Sequence, residues 1–196
     1  MPRPLYIEAR IRGPLDLLWQ RTQDPAQHER WDLRFSTIRY LPRPDPSQPQ
    51  RFRYTTRIGF GLAITGEGET VGERTAPNGQ RTSALTFWSD APYSLIRRGA
   101  GYWKYIPTAD GIRFVTQYDY EVRFGAAGRL LDRFFFRPLM GWATAWSFDL
   151  LRLWVEQGQP PEASRRRALF RTVAGGVLVS VAATALAARH RATSST

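Results

Sequence analysis

Apolar and polar positions alternate from Ile112 to Phe124. Ile112, Phe114, Thr116, Tyr118, Tyr120, Val122 and Phe124 fall on one side, and Arg113, Gln117, Asp119, Glu121 and Arg123 on the other, with Val115 the exception. A period of two sustained this long predicts a strand with one face on a core and one in water. After Gly125 and Gly128 the period changes. Leu131, Phe135, Leu139, Trp142, Trp146, Leu150 and Leu153 recur every three or four residues, which is one stripe of a helix. Pro138 lies inside that stripe, removes a backbone donor and crowds the preceding turn, so it is expected to kink the helix or split it.

The same reading upstream gives an α+β order with the helices segregated from a run of strands. Leu5, Ile7, Ala9 and Ile11 alternate with polar residues, and Gly13-Pro14 ends this first strand. Short helices follow through Leu17–Trp19 and from Asp24-Pro25 to Trp31-Asp32, the aspartate serving as N-cap and the proline as N1. Phe35–Leu41 is strand-like and residues 42–49 form a proline-rich loop. Strands are then expected at Arg51–Ile58, Leu62–Glu73, Thr82–Ser89 and Leu95–Ile106, separated by glycine and proline turn signals such as Pro77-Asn78-Gly79 and Asp110-Gly111. Gly66, Gly68 and Gly72 are expected to mark bends or bulges. The Gly66-Glu67-Gly68-Glu69 stretch has the glycines of a phosphate loop but opposing charge and no following helix, so a nucleotide site is excluded.

This order resembles the START-like superfamily (SRPBCC, helix-grip), and within it the polyketide cyclase/dehydrase and lipid-transport-like branch. The residues that carry the resemblance are Asp24-Pro25, His28 and Trp31-Asp32, the strand Ile112–Phe124, and the segment Arg137–Trp146. The resemblance implies a curved antiparallel sheet of about seven strands around a long C-terminal helix, enclosing a cavity for a hydrophobic small molecule. It implies no single catalytic residue set, and no cofactor or metal is expected. On this reading residues 1–158 form the START-like domain, 159–171 a Pro/Arg-rich linker, 172–188 a hydrophobic helix and 189–196 a short polar tail.

Composition narrows the chemistry. The 196-residue chain has no cysteine and two histidines, so thiolate metal sites and disulfides are excluded and a Ser-His-Asp triad has almost no raw material. His190 lies in the tail, leaving His28, for which helix capping or packing on Trp31 is the simpler reading. The net charge is +11, and Lys104 is the only lysine. Residues 161–196 carry six arginines against Glu162, a net of +5. Thr172–Ala188 has no charged residue and is bracketed by Arg165, Arg166, Arg167 and Arg171 on one side and Arg189 and Arg191 on the other. As a helix it would span about 25 Å against a hydrocarbon core of about 30 Å, a gap that snorkelling arginines can close. The expectation is a single-pass C-terminal anchor in the cell membrane with the main domain on the cytoplasmic side, the six arginines being interfacial. A helix packing on a partner is the other reading of this segment.

The expected lining of the cavity is Phe52, Tyr54, Trp88, Tyr102, Tyr118, Tyr120, Trp142 and Trp146, aromatic area with hydroxyl handles. Arg98, Lys104 and Asp119 could reach a pocket mouth, but Asp119 faces away from Tyr118 and Tyr120, and Lys104 reads as a solvated strand residue. The functional expectation is a membrane-tethered binding protein for a lipid, isoprenoid or polyketide-like molecule, with no catalytic residue named and membrane lipids as its other partner. Two alternatives stay open: an aromatase/cyclase-like enzyme of the same fold, and a basic binder of nucleic acid or an acidic partner. Nucleic acid is the least expected partner, because Arg51, Arg53 and Arg57 alternate with Phe52, Tyr54 and Ile58 instead of sharing a face with them.

Overall fold

The computed structural model describes residues 3–168. Seven strands, β1 (Leu5–Ile11), β2 (Thr37–Tyr40), β3 (Gln50–Gly59), β4 (Leu62–Thr75), β5 (Arg81–Trp88), β6 (Ile96–Thr108) and β7 (Gly111–Val122), form one antiparallel sheet in the order β1-β7-β6-β5-β4-β3-β2. Helices α1 (Leu15–Gln23) and α2 (Pro25–Trp31) connect β1 to β2. After β7 come α3 (Gly125–Leu131), a π-helical turn at Asp132–Phe136 and the long α4 (Arg137–Gln157). The architecture is the expected α+β helix-grip, a curved sheet around a C-terminal helix.

Local chemistry sets the boundaries. The Asp24 side chain caps α2 by accepting from the backbone N–H groups of Ala26 and Gln27, with Pro25 in the first turn. Pro138 occupies the first turn of α4 and the widened π turn lies immediately before it, so the expected break takes the form of a π turn between two helices. Gly158, left-handed at φ 67°, closes α4. Residues 161–168 of the expected linker are helical, and Glu162 returns to pair with Arg30 of α2 at 2.8 Å.

The face that α4 buries differs from the expected stripe. Ala143, Thr144, Ser147, Phe148, Leu150, Leu151, Trp154 and Val155 are buried, whereas Leu131, Phe135, Leu139 and Trp142 are exposed and Trp146 is half-buried. Small residues at 143, 144 and 147 let the helix approach the sheet, and the larger aromatics flank the contact. Ser147 also accepts from the backbone N–H of Leu33 at 2.9 Å, a polar contact that an apolar-stripe reading passes over. The core gathers under the C-terminal half of α4. There Phe148 packs on Phe114 with ring centroids 4.6 Å apart, and Phe114 on Tyr105 at 4.9 Å, beside Trp31 and Leu151.

The β3–β4 hairpin ends in a two-residue turn, with Gly59 opposite Leu62 and both Phe60 (φ 52°) and Gly61 (φ 76°) left-handed. These signs are those of a type I′ turn, where asparagine-glycine fits and a bulky first residue is strained. Phe60 is fully exposed and recovers nothing by packing. Phe60→Asn is therefore expected to stabilise the protein by about 1 kcal/mol. A denaturant midpoint that stays put or falls would contradict the turn assignment.

Candidate functional site

Between the sheet and the N-terminal half of α4 lies a cavity of about 370 Å³. Its walls come from β3, β5 and β7, its roof from Phe136, Leu139, Met140, Trp142 and Ala143, and one corner from the segment Leu33–Phe35 after α2. The space exists because inward positions on the sheet lack side chains. A methyl group on Gly66 would sit 2.3 Å from the Tyr54 ring, on Gly68 2.5 Å from the Phe52 ring, and on Gly99 2.4 Å from the Phe87 ring. Each ring therefore lies flat across a neighbouring strand's glycine, and the sheet presents a shallow aromatic floor. Gly72 has the expected role at a β-bulge, where the β4–β5 register shifts between Thr70 and Gly72, but Gly66 and Gly68 are paired in regular register.

Of the eight aromatic residues expected to line the cavity, Phe52, Tyr54, Tyr118 and Trp142 do so with their rings within reach of it. Tyr102 borders the space, but its ring belongs to the outer face, where its hydroxyl donates to Gln117 at 2.7 Å and Lys104 lies 4.9 Å over it. Its neighbours Trp103 and Tyr105 take the inward positions of β6. Trp88 is outside the lining. It alternates with the inward Phe87 and sits under Arg51, whose guanidinium lies 5.8 Å from the indole on the outer face. Tyr120 is also outside, because its hydroxyl donates to Asp132 at 2.6 Å and so ties β7 to the π turn. Arg137 bridges Asp132 and Asp119 at 3.2 and 3.3 Å in the same latch. Trp146 packs on Trp142 with centroids 5.2 Å apart and does not reach the cavity. Arg98 pairs with Glu121 on the surface. Arg165 donates to the Arg30 carbonyl at 2.8 Å and Arg167 to Gln159 at 3.3 Å, while Arg166 is exposed. Arg171, Arg189, Arg191 and the segment 172–188 lie outside the described residues. Among those that are described, no helix is long and apolar enough to cross a membrane.

The feature that sequence reading missed is a polar corner. Asp32, fully buried, accepts Arg34 Nε at 2.9 Å and Nη2 at 2.6 Å, the Arg34 backbone N–H at 3.1 Å, and His28 Nε2 at 2.9 Å. Burial pushes the Asp32 carboxyl up, but Arg34 and His28 outweigh it and hold the group far below the usual carboxylate range. Burial likewise pulls the Arg34 guanidinium down, and Asp32, with a further contribution from Tyr118, more than restores it. Both partners are thus fixed in their charged forms. Arg34 and His28 line the cavity, and His28 also stacks on Trp31 at 4.9 Å, the packing expected of it. Tyr54 stays a neutral hydroxyl, pushed by burial up to about 12. The signal for this corner was present in His28-x-x-x-Asp32-x-Arg34, but a charged loop after a helix reads as surface until the fold closes over it.

The mouth is apolar. Ile58, Leu139 and Trp142 border the cavity while remaining more than half exposed. Phe60 and Leu62 on the hairpin tip, and Leu130, Leu131, Phe134 and Phe135 on α3 and the π turn, are exposed as well, as are Arg57, Arg129 and Arg133 on the same elements.

No family model matches the chain. A Bacillus subtilis (strain 168) protein, the uncharacterized membrane protein YndG, is 52% identical over 169 residues, covering 86% of this chain. The match covers 63% of YndG, so the chain spans less than two thirds of that relative's length. Among solved structures, TTHA0849 from Thermus thermophilus superimposes with a TM-score of 0.59 at 19% identity over 78% of this chain and 96% of its own. The ZhuI aromatase/cyclase from Streptomyces sp. R1128 gives 0.55 at 14% identity over 81% and 98%. A STAR-related lipid transfer protein from Xanthomonas axonopodis gives 0.54 at 15% over 75% and 82%. The chain carries the START-like helix-grip fold.

Within this helix-grip domain the Asp32–Arg34 pair has a checkable linkage. A carboxyl depressed on folding stabilises the protein above its unfolded value, 3.8, and that stabilisation is lost as the pH falls below it. Asp32→Asn is therefore expected to lower stability at pH 7 by about 3 kcal/mol or more, since Arg34 is left buried without its counter-charge, and to lessen the further loss on acidification. Denaturant midpoints at neutral and acid pH for both proteins measure this. A parallel acid loss in the two would show that Asp32 does not titrate differently on folding.

Proposed function

We propose that the protein binds a hydrophobic small molecule, of the lipid, isoprenoid or polyketide type, in the cavity between sheet and α4, and that it does so at a membrane. The observation that carries the binding reading is the cavity itself, apolar over most of its lining and furnished with one charged pair whose members neither gain nor lose protons near neutral pH. A cyclase would need a positioned group able to move a proton. Asp32 and Arg34 are fixed and His28 is engaged through Nε2 with Asp32, which favours binding over the aromatase/cyclase alternative. The basic-binder reading loses ground because Arg51 and Arg53 share Glu67 as counter-charge at 2.6 and 2.9 Å.

Two observations support work at a bilayer. The first is the uncharged segment 172–188 between arginines, read as a single-pass anchor with residues 1–158 on the cytoplasmic side and 159–171 as the connection. The second is the apolar rim with interspersed arginines, a surface composition suited to contact with anionic headgroups and the acyl boundary. The name of YndG as a membrane protein agrees with this reading.

Ala143 is buried at the cavity roof, so Ala143→Trp should fill the space. The full-length protein is expected to bind the uncharged fluorophore N-phenylnaphthylamine, with affinity falling at least about ten-fold in Ala143→Trp while cooperative unfolding is retained. Equal binding by both proteins would place the fluorophore elsewhere and defeat the cavity reading. Full-length protein is expected in the membrane fraction after a high-salt wash, and a chain lacking residues 172–188 is expected in the supernatant. Release of full-length protein by salt alone would mean that the arginines bind headgroups and no helix inserts.

A further inference from the structure

The polar corner has donors left over. Asp32 occupies Nε and Nη2 of Arg34, so the two N–H bonds of Nη1 take no part in the ion pair. The Arg34 guanidinium lies 5.3 Å over the Tyr118 ring, and both residues line the cavity. The hydroxyl protons beyond it can be assigned. Thr144 donates its single proton to the Met140 carbonyl at 2.7 Å, so in the 3.0 Å contact between Tyr118 and Thr144 the tyrosine is the donor. Tyr118 Oη therefore has its proton committed to α4 and its lone pairs available toward Arg34. On the other side an ionised Asp32 only accepts, so His28 Nε2 carries a proton and directs it at Asp32. Tyr118 and His28 thus direct their protons away from the corner, and Arg34, which gives part of its donor capacity to Tyr118, is the cationic donor there. Gln23, elsewhere in the lining, gives a proton of Nε2 to Tyr105.

Charge decides what kind of acceptor fits. Asp32 already balances Arg34, so the corner is close to neutral as a unit. A ligand carboxylate would bring a second negative charge beside Asp32, into a corner whose guanidinium is already paired (Arg57, the other arginine of the lining, is exposed), whereas an uncharged oxygen would take the N–H bonds without altering the balance. Alkane alone would leave those donors facing hydrocarbon.

We propose that Arg34, positioned by Asp32 and Tyr118, is the specificity-determining contact of this cavity, and that it takes the carbonyl oxygen of an otherwise apolar, uncharged ligand. The proposal rests on the cavity being a ligand site. The ligand class is thus long-chain ketones, quinone-like or ester-bearing molecules, in preference to hydrocarbons and to free fatty acids.

Three compounds of matched chain length test it on the detergent-solubilised full-length protein: methyl nonyl ketone, undecane and undecanoate, each competing against N-phenylnaphthylamine. Ala143→Trp serves as the blank for partition into detergent. The ketone is expected to bind at least about ten-fold more tightly than undecane, the size of a charge-assisted hydrogen bond, and more tightly than undecanoate. The double variant Asp32→Asn/Arg34→Met, which leaves no unpaired charge, is expected to lose the preference for the ketone over undecane. Equal affinity for ketone and undecane, or undecanoate as the tightest of the three, overturns the proposal while leaving cavity binding intact. Failure of all three to displace the fluorophore defeats the binding reading and the proposal with it. The ligand comparison on the unsubstituted chain stands even if the double variant fails to fold.

Discussion

The constraint on which the rest depends is the absence of side chains at Gly66, Gly68 and Gly99 on the inner face of the sheet. Any Cβ there would collide with a neighbouring ring or with backbone carbonyls, including those of Trp88, Thr86 and Asp119 at 2.5 to 2.7 Å, so relief by side-chain rotation alone is blocked. With the rings of Tyr54, Phe52 and Phe87 lying flat, the sheet stays close-packed along its strands while its centre remains low. A helix resting on such a surface cannot fill the space beneath it, because Ala143 and Thr144 are the residues that α4 turns toward the sheet at that level. One turn or so further along, Phe148 and Leu151 meet Phe114 and Tyr105 and the gap closes. Core and cavity are two ends of a single interface, distinguished by side-chain size.

The N-terminal half of α4 is held over this open space by polar contacts together with packing on β1, where Gly141 approaches Leu5. Tyr120, Asp132, Arg137 and Asp119 form one hydrogen-bonded latch, and Arg137 also donates to the Arg3 carbonyl at 2.7 Å, so β7, the π turn and the N-terminal segment meet at one guanidinium. Opposite it, Asp32 and Arg34 perform the same service for the segment after α2. Each cluster contains a buried acid whose partners supply the hydrogen bonds lost on leaving water, the condition under which buried charge is tolerated.

Period-two patterns made most of the sheet legible, since strands with one wet face advertise themselves. The β7 alternation placed Thr116 and Tyr118 inward correctly, and Phe52 and Tyr54 followed from the same logic on β3. Helix α4 was misread because hydrophobicity was equated with burial. Trp142 stands exposed at the cavity mouth, while the small residues Ala143, Thr144 and Ser147 are buried on the side facing the sheet. Tyr120 and Trp88 were misplaced for local reasons, the first captured by Asp132 and the second one residue out of phase with Phe87. Arg34 stands in the pattern His28-x-x-x-Asp32-x-Arg34, but nothing in that pattern marks it as buried. Its burial depends on α4 and Tyr118 arriving from more than eighty residues away in the chain.

The place of β1 in the sheet has a consequence for how the chain acquires its structure. Leu5 pairs with Tyr118 and Ile11 with Ile112, so the first strand waits for the last one before it has a neighbour. In a chain emerging from the ribosome, β2 through β6 can form successive hairpins, but β1 remains an unpaired edge until β7 is made. Closing a loop of that length is slow relative to forming the local hairpins. The α4 helix packs on β1 as well as on the core, so its docking belongs to the same late event. The site is therefore among the last parts of the domain to be completed, and a chain arrested before Gly111 has the aromatic floor of β3 to β6 but neither Tyr118 nor the roof.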